Sequence, residues 1–370
     1  MRSRLIRQHR TALRRVGAVL ATVATLGLAA LGIADLLQSG ASESGVLYFT
    51  TFRHPALYRV DFDFHGGHLH FGHQTVVARL SGADGVVFEP DGQALVGGQA
   101  TGMVEEVNPK TGAVRQVPSS CPFAFLLALD VNQKTVYTAG LPGPLCALQV
   151  DPLQPGTALS LRGDDPQISL VAFDASGRAF YTTGVSPGTG NFGVIDMGTL
   201  TTKRELTHTE AHGITFDSYS KALYLFGGDS VLQIDPSDPT HVASTLTVPG
   251  TQLDNGTSDG HGHVFVASNF GQLVILQVHR PGGSLSPIAA LHLHDNLDDV
   301  APLTGPGAAS SAGITWRGAL AVGFGLMLLI GLAVALGTWL YSSSRLPRWD
   351  LRRREAEALR RQRAPRTPRR

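Results

Sequence analysis

Four short apolar runs, each closed by an acidic residue, recur through the middle of this 370-residue chain. They read Val86-Val87-Phe88-Glu89, Leu127-Ala128-Leu129-Asp130, Val171-Ala172-Phe173-Asp174 and Ile214-Thr215-Phe216-Asp217, and a weaker copy ends at Asp259. The acids are spaced by 41, 44, 43 and 42 residues. A turn and a second apolar stretch follow each one, as in Pro90-Asp91-Gly92 before 94–97 and Ser176-Gly177 before 179–183. Gly and Asx suit such turns because they tolerate positive φ or form Asx turns. A third stretch then ends in Asp or Asn, at Asp61, Asn108, Asp151, Asp196 and Asp235, with Gln277 as the exception. Two independent markers therefore share one period of about 40–45 residues. That period, with about four short strands per unit, is the signature of a propeller blade. Helical periodicity is absent from this segment.

The count gives five complete copies, beginning near Asp84, Phe125, Ser169, His212 and Asp254. Residues 46–51, 57–62 and 70–78 supply three strands without an innermost partner, and 299–303 is an innermost strand without a blade. Joining them predicts an all-β, six-bladed β-propeller over 45–304, closed by its N- and C-terminal strands. Closure removes the open sheet edges that invite aggregation.

Charge and hydropathy predict the flanks. Residues 1–15 carry six Arg and no acid, and 345–370 carry eleven Arg and three acids. Between 43 and 313 there are 12 basic and 25 acidic residues, so this part is about −13. Uncharged apolar runs occupy 16–34 and 318–341. A helix needs about 20 apolar residues to cross the bilayer, and excess Arg marks the cytoplasmic side. The expected layout is a basic cytoplasmic N-terminus (1–15), a transmembrane helix or signal anchor (16–34), a linker (35–44), the propeller (45–304), a linker (305–317), a second transmembrane helix (318–341) and a basic cytoplasmic tail (342–370). For the first run a cleaved signal peptide stays open beside an uncleaved anchor. Either way the propeller is expected outside the cytoplasm, at the inner or cell membrane. The lipid bilayer is an expected partner. Nucleic acid is not, because the basic tail lacks interleaved aromatics.

"GVVFEPDGQALVGG" (85–98) with "VNPKTGAV" (107–114), and "HGITFDSYSKALYLFGG" (212–228) with "VLQIDP" (231–236), resemble blades of the NHL/SMP-30/streptogramin-lyase-like propeller superfamily. The resemblance covers about 45–304 and implies the propeller fold. It implies no single activity, since such superfamilies hold lactonases, lyases and binding modules. The second-strand pattern of the streptogramin lyases is absent, its nearest echo being Ala267-Ser268-Asn269-Phe270-Gly271.

The position five residues before each repeat acid is expected to ring one mouth of the central channel. That ring reads Asp84, Phe125, Ser169, His212, Asp254 and Asp299, with Asn255 and Asp298 beside it. Hard oxygen donors converging on an axis suit Ca²⁺ or Mg²⁺, while Asp and Asn are also common as solvated turn residues. On the ligand reading, Asp84, Asp254 and Asp299 are the expected metal ligands, and Ser169, Asn255 and Asp298 line the ligand site. His212 is a further ligand or a general base. No cofactor follows with certainty. The pairs His68/His70 and His292/His294 fall on expected outer strands of neighbouring blades and raise Zn²⁺ as an option. Cys121 and Cys146, the only cysteines, are expected at one face of one blade and so able to form a disulfide outside the cytoplasm. The sequence lacks a Gly-X-Ser-X-Gly elbow, a P-loop and a His-Glu-X-X-His motif. The first expectation for function is a membrane-anchored binding or scaffold module for an envelope protein, peptide or glycan. The second is a metal-dependent lyase or hydrolase acting at the channel mouth.

Overall fold

The computed structural model describes residues 43–65, 68–150, 152–185, 189–280, 282–294, 296–302 and 356–357. Six antiparallel sheets form in the order of the repeats. Blade 1 holds Val86–Phe88, Ala94–Gly97, Met103–Val107 and Val114–Pro118, from the channel outward. Blades 2, 4 and 5 repeat this plan over 127–159, 213–247 and 253–292. Blade 3 (170–209) adds Arg162–Gly163, a two-residue strand that pairs in parallel with Thr201–Thr209.

Blade 6 is built from both ends of the domain. Val300–Pro302 is its innermost strand and pairs antiparallel with Glu43–Thr51, with Phe49 opposite Val300 and Leu47 opposite Pro302. Ala56–His65 follows outward. The outer edge is split, because His68–Phe71 and Thr75–Arg79 both pair with Ala56–His65. The chain enters this blade at the end of the strands opposite Thr51, and Val300–Pro302 runs toward that same end. Both termini of the domain thus leave at the face away from the mouth.

Alternation along the second strand of each blade explains the packing. In Ala94–Gly97, Ala94 and Val96 pack toward blade 6, while Leu95 packs toward blade 2. In Ala222–Gly227, Tyr224 and Phe226 face blade 5, and Leu223 and Leu225 face blade 3. Strands buried on both faces need no polar alternation, which is why they read as continuous apolar runs. Six apolar clusters result, one between each pair of neighbouring blades. Turn chemistry closes each innermost hairpin. Gly92 and Gly177 adopt φ of 88° and 86°, and Gln133 and Lys221 take the same left-handed region at 55° and 62°.

Cys121 and Cys146 are joined, with an Sγ–Sγ distance of 2.04 Å and a sequence separation of 25. A loop of this size is worth about 3 kcal/mol on the chain-entropy model. Among the described residues, no helix is long and apolar enough to cross a membrane. The apolar runs 16–34 and 318–341 lie outside the described residues.

Candidate functional site

Each innermost strand starts at the mouth and ends at its repeat acid, so the residue before each strand is delivered to the same end of the channel. Asp84, His212, Asp254, Asp298 and Asp299 are all buried there. Asp254 and Asn255 fall in a register shift of the ladder between Leu253 and Gly256. Such bulges redirect side chains, and here the bulge frees two consecutive residues from strand pairing. Glycine beside them lets the blades meet. A Cβ on Gly213 would lie 2.5 Å from Asp254 O and 2.6 Å from Asn255 Oδ1.

His212 is held at both ring nitrogens. Its Nδ1 donates to Gly184 O at 2.8 Å, and its Nε2 meets Asp254 Oδ1 at 2.9 Å. Ser169 Oγ donates to the same Gly184 carbonyl at 2.7 Å, and Thr182 Oγ1 donates to His212 O at 2.6 Å. Burial works against the imidazolium, but the Asp254 charge and hydrogen bond push His212 up to about 9. Burial would raise Asp254, and the same His212 contact holds it below the usual carboxylate range. Asn269 Nδ2 donates to Asp254 Oδ1 at 3.4 Å.

The other three carboxyls behave differently. Burial, then the Asp254 charge, raises Asp84 to about 7. Burial, then the charges of Asp84 and Asp254, raises Asp298 well above its ordinary value. No donor reaches Asp298 Oδ2, because the groups it bonds are the carboxyls of Asp84 and Asp254. A proton on Asp298 turns that contact into a hydrogen bond, the solution that crowded carboxyls adopt. Asp299 is pushed up to about 8 by burial, against the pull of two backbone amides. Val86 N donates to its Oδ2 and Val300 N to its Oδ1, both at 2.8 Å. Thr50 completes the frame, donating from Oγ1 to Asp84 O at 2.5 Å and accepting from Asp299 N at 3.0 Å.

The structure therefore gathers Asp84, His212, Asp254 and Asp298, places Ser169 behind the imidazole, and leaves Asn255 Oδ1 buried without a donor. Asn255 and Asp299 also line a cavity of about 220 Å³ along the innermost strands. Asp299 has both oxygens engaged by backbone and so anchors the closing strand. Thr50, Thr182, Gly184 and Asn269 were not legible as site residues, since a strand-end threonine or a loop carbonyl has no motif. Only Asn269 carried a signal, as part of the echo of the streptogramin-lyase pattern.

By chemistry alone, Asp84, Asp298 and the orphaned Asn255 Oδ1 are hard oxygen donors of the kind a divalent ion takes. Such an ion would displace the proton from Asp298. Among the described residues no three His, Cys, Asp or Glu side chains are spaced to hold an ion as they stand. The two histidine pairs do not meet: His68 and His70 pair with the far end of Ala56–His65, whereas His292 and His294 lie against the mouth-side turn at Gly271. His70 is on His68–Phe71, His292 ends Ser284–His292, and His294 lies beyond that strand with Nε2 at 3.2 Å from Tyr58 Oη.

With the mouth defined, the class is plain: this is a six-bladed β-propeller, closed by strands from both ends. The Pseudomonas aeruginosa periplasmic gluconolactonase matches over 71% of this chain and 100% of its own, at 14% identity and a TM-score of 0.52. A putative 6-phosphogluconolactonase from Bacteroides uniformis matches over 68% of this chain and 83% of its own, at 18% identity and a TM-score of 0.46. Regucalcin from Agrobacterium tumefaciens, described as a calcium-binding protein, matches over 55% and 73%, at 13% identity and a TM-score of 0.41. At these identities the likeness is one of fold. No protein-family model and no curated protein sequence matches the chain.

Proposed function

We propose that this protein is a hydrolase of esters or lactones, with its reaction centre at the channel mouth. The observation that carries the reading is the buried cluster of Asp84, Asp254, Asp298 and His212, whose pKa values are pushed apart. Titratable neighbours driven to different pKa values define an acid and a base. Asp84, at about 7, is the base that takes a proton from water as its oxygen bonds to the carbonyl carbon. Protonated Asp298 is the acid that gives a proton to the departing oxygen as the C–O bond breaks. Their mutual hydrogen bond lets the proton pass from Asp84 to Asp298 and resets the pair. His212 has no ring nitrogen left for substrate, so it acts as a fixed positive charge that keeps Asp254 ionised. The fold neighbour of highest TM-score reported above is named for lactone hydrolysis, which agrees with this chemistry without establishing it.

Ca²⁺ or Mg²⁺ held by Asp84, Asp298 and Asn255 would polarise the carbonyl and acidify water. The remaining work, holding Asp254 charged and orienting Asp84, belongs to the chain in either case. We also propose that the domain lies outside the cytoplasm, tethered through 16–34 and 318–341. The flanking Arg clusters, the disulfide and the exit of both domain ends at one face support this.

The test is a screen of the purified full chain against neutral lactones and chromogenic esters, with and without Ca²⁺ or Mg²⁺. Turnover that disappears in Asp84→Asn supports the reading. Turnover unchanged by Asp84→Asn and Asp298→Asn removes the mouth acids from the reaction, and none on any substrate returns the protein to the class of binding modules.

A further inference from the structure

The mouth acids have apolar company. Phe123 and Phe270 are among the few large apolar side chains exposed in the described residues, at 42% and 54%. Phe52 and Phe125 are half-buried beside them in sequence and topology. All four stand on mouth-side connections, and three independent hydrogen bonds tie those connections to the acid cluster. Asn269, next to Phe270, donates to Asp254. Phe125 O accepts from Gly85 N at 3.2 Å, adjacent to Asp84. Thr50, two residues before Phe52, bonds Asp84 and Asp299. Phe123 and Phe125 pack with centroids 5.8 Å apart. The acids come from blades 5, 6 and 1 and the aromatics from blades 5, 6 and 2, so both occupy the same arc of the ring.

Net charge bears on which substrates reach that arc: the segment 43–313 is about −13 (12 basic against 25 acidic residues). Anionic molecules are repelled from such a field. Large exposed apolar groups at the edge of a pocket mark binding surface. A bilayer is a poor occupant for this rim, because both ends of the domain leave at the opposite face.

We propose, resting on the hydrolase reading above, that the substrate is an uncharged ester or lactone bearing an apolar substituent. The reacting carbonyl meets Asp84 and Asp298, and the substituent lies on Phe52, Phe123, Phe125 and Phe270. Phosphorylated or otherwise anionic lactones are disfavoured by the same net charge.

The experiment uses the full chain with p-nitrophenyl acetate, p-nitrophenyl octanoate and the anionic p-nitrophenyl hemisuccinate. A buried methylene changes binding by roughly fourfold, so a half-exposed rim is expected to favour octanoate over acetate in kcat/KM by on the order of 10-fold or more. Phe270→Ala and Phe123→Ala should raise KM for octanoate by several-fold, and by clearly more than they raise it for acetate. The hemisuccinate should be the poorest substrate. Equal rates for acetate and octanoate, or equal losses on both in the Phe variants, overturn the inference while the hydrolase reading stands. If no ester is cleaved, calorimetry with uncleavable octanamide separates the two claims. Binding weakened by Phe270→Ala keeps the apolar rim and removes the hydrolase, whereas no binding removes both. Phe-dependent sedimentation with neutral phosphatidylcholine vesicles, or Phe-dependent dimerisation, also overturns the inference.

Discussion

The two ends of the same innermost strands treat buried acids in opposite ways. At the turn end, Asp174 accepts from Ser176 N, Ser176 Oγ and Arg178 N at 2.6–3.0 Å. Burial would raise it, but these donors outweigh burial and hold it low. Asp217 accepts from Tyr219 N, Ser220 N, Ser220 Oγ and Ser258 Oγ at 2.5–3.2 Å. At the mouth, Asp84 and Asp298 sit mainly against other carboxyls and are raised. One sequence repeat thus places acids at both ends of its strands; at the mouth Asp254 and Asp299 find donors, while Asp84 and Asp298 are left mainly facing other carboxyls. An acid satisfied by its own hairpin is part of the fold. An acid left among its own kind is costly, and such costs concentrate at functional sites.

The sharpest way to break this comparison is to neutralise one acid at each end. Asp84→Asn removes the base, and loss of a general base costs about 10²–10⁴-fold in rate. The folded state should not suffer. Because the folded pKa of Asp84 is raised to about 7, the native state binds the proton more tightly than the unfolded chain. Its contribution therefore falls as pH rises from about 4 to 7. Asp84→Asn removes that penalty, so its urea midpoint at pH 7.5 should equal or exceed that of the wild type. Asp217→Ala should do the reverse. It strips four donors of their acceptor inside a buried turn, a class of change worth about 3 kcal/mol or more. A stable Asp217→Ala and an unstable Asp84→Asn would together show that the two ends do not differ as argued.

The pH dependence of the His212–Asp254 pair gives a smaller effect with a defined sign. His212 is raised to about 9 from an unfolded value near 6.5. Its contribution is fully present below about pH 6.5 and is lost as pH rises through about 9. Asp254 is lowered, so its contribution is present above the ordinary carboxylate pKa and is lost as pH falls below it. The raised Asp84 and Asp299 also lower the midpoint as pH rises to about 7 and about 8, so the imidazole is read above them. Between about pH 8 and 10 the wild-type midpoint should still decline, His212→Gln should remove most of that part, and an unaltered limb there would mean that the imidazole is not held charged.

The blade period, the closure and the mouth ring were all legible because they are local patterns repeated in register. The acid at each hairpin and the apolar run before it are dictated by turn chemistry and two-sided burial, which a sequence displays directly. The roles within the ring were not. Asp298 and Asp299 are adjacent and identical in sequence, but the pleat sends one toward Asp84 and Asp254 and the other onto the amides of Val86 and Val300. The expectation of Asp299 as a metal ligand could not anticipate that its oxygens serve the closing strand. His212 read as a general base because its ordinary pKa suits one. Its two partners, Gly184 O and Asp254, lie 28 and 42 residues away, and only the ring geometry brings them together. The flanking apolar runs fall outside the described residues, so their role rests on length and charge alone.

Ser169 offers the finest test of the mouth. Its hydroxyl and the His212 Nδ1 converge on one carbonyl, Gly184 O, at 2.7 and 2.8 Å. Gly184 is there because a Cβ would come within 2.2 Å of Ala211 O, so this loop lies hard against the strand that carries His212. Ser169→Ala removes one of two donors from that carbonyl and leaves no new buried donor behind. The expected cost is about 1 kcal/mol, the net worth of an ordinary hydrogen bond. If Ser169 only packs, the His212 titration followed by NMR should move by less than a unit. If the hydroxyl fixes the carbonyl that fixes the imidazole, the ring gains freedom to turn from Asp254, and its pKa drops toward its ordinary value while kcat falls with KM unchanged. The geometry favours the first outcome, because Thr182 and Asp254 still hold His212 from two other directions.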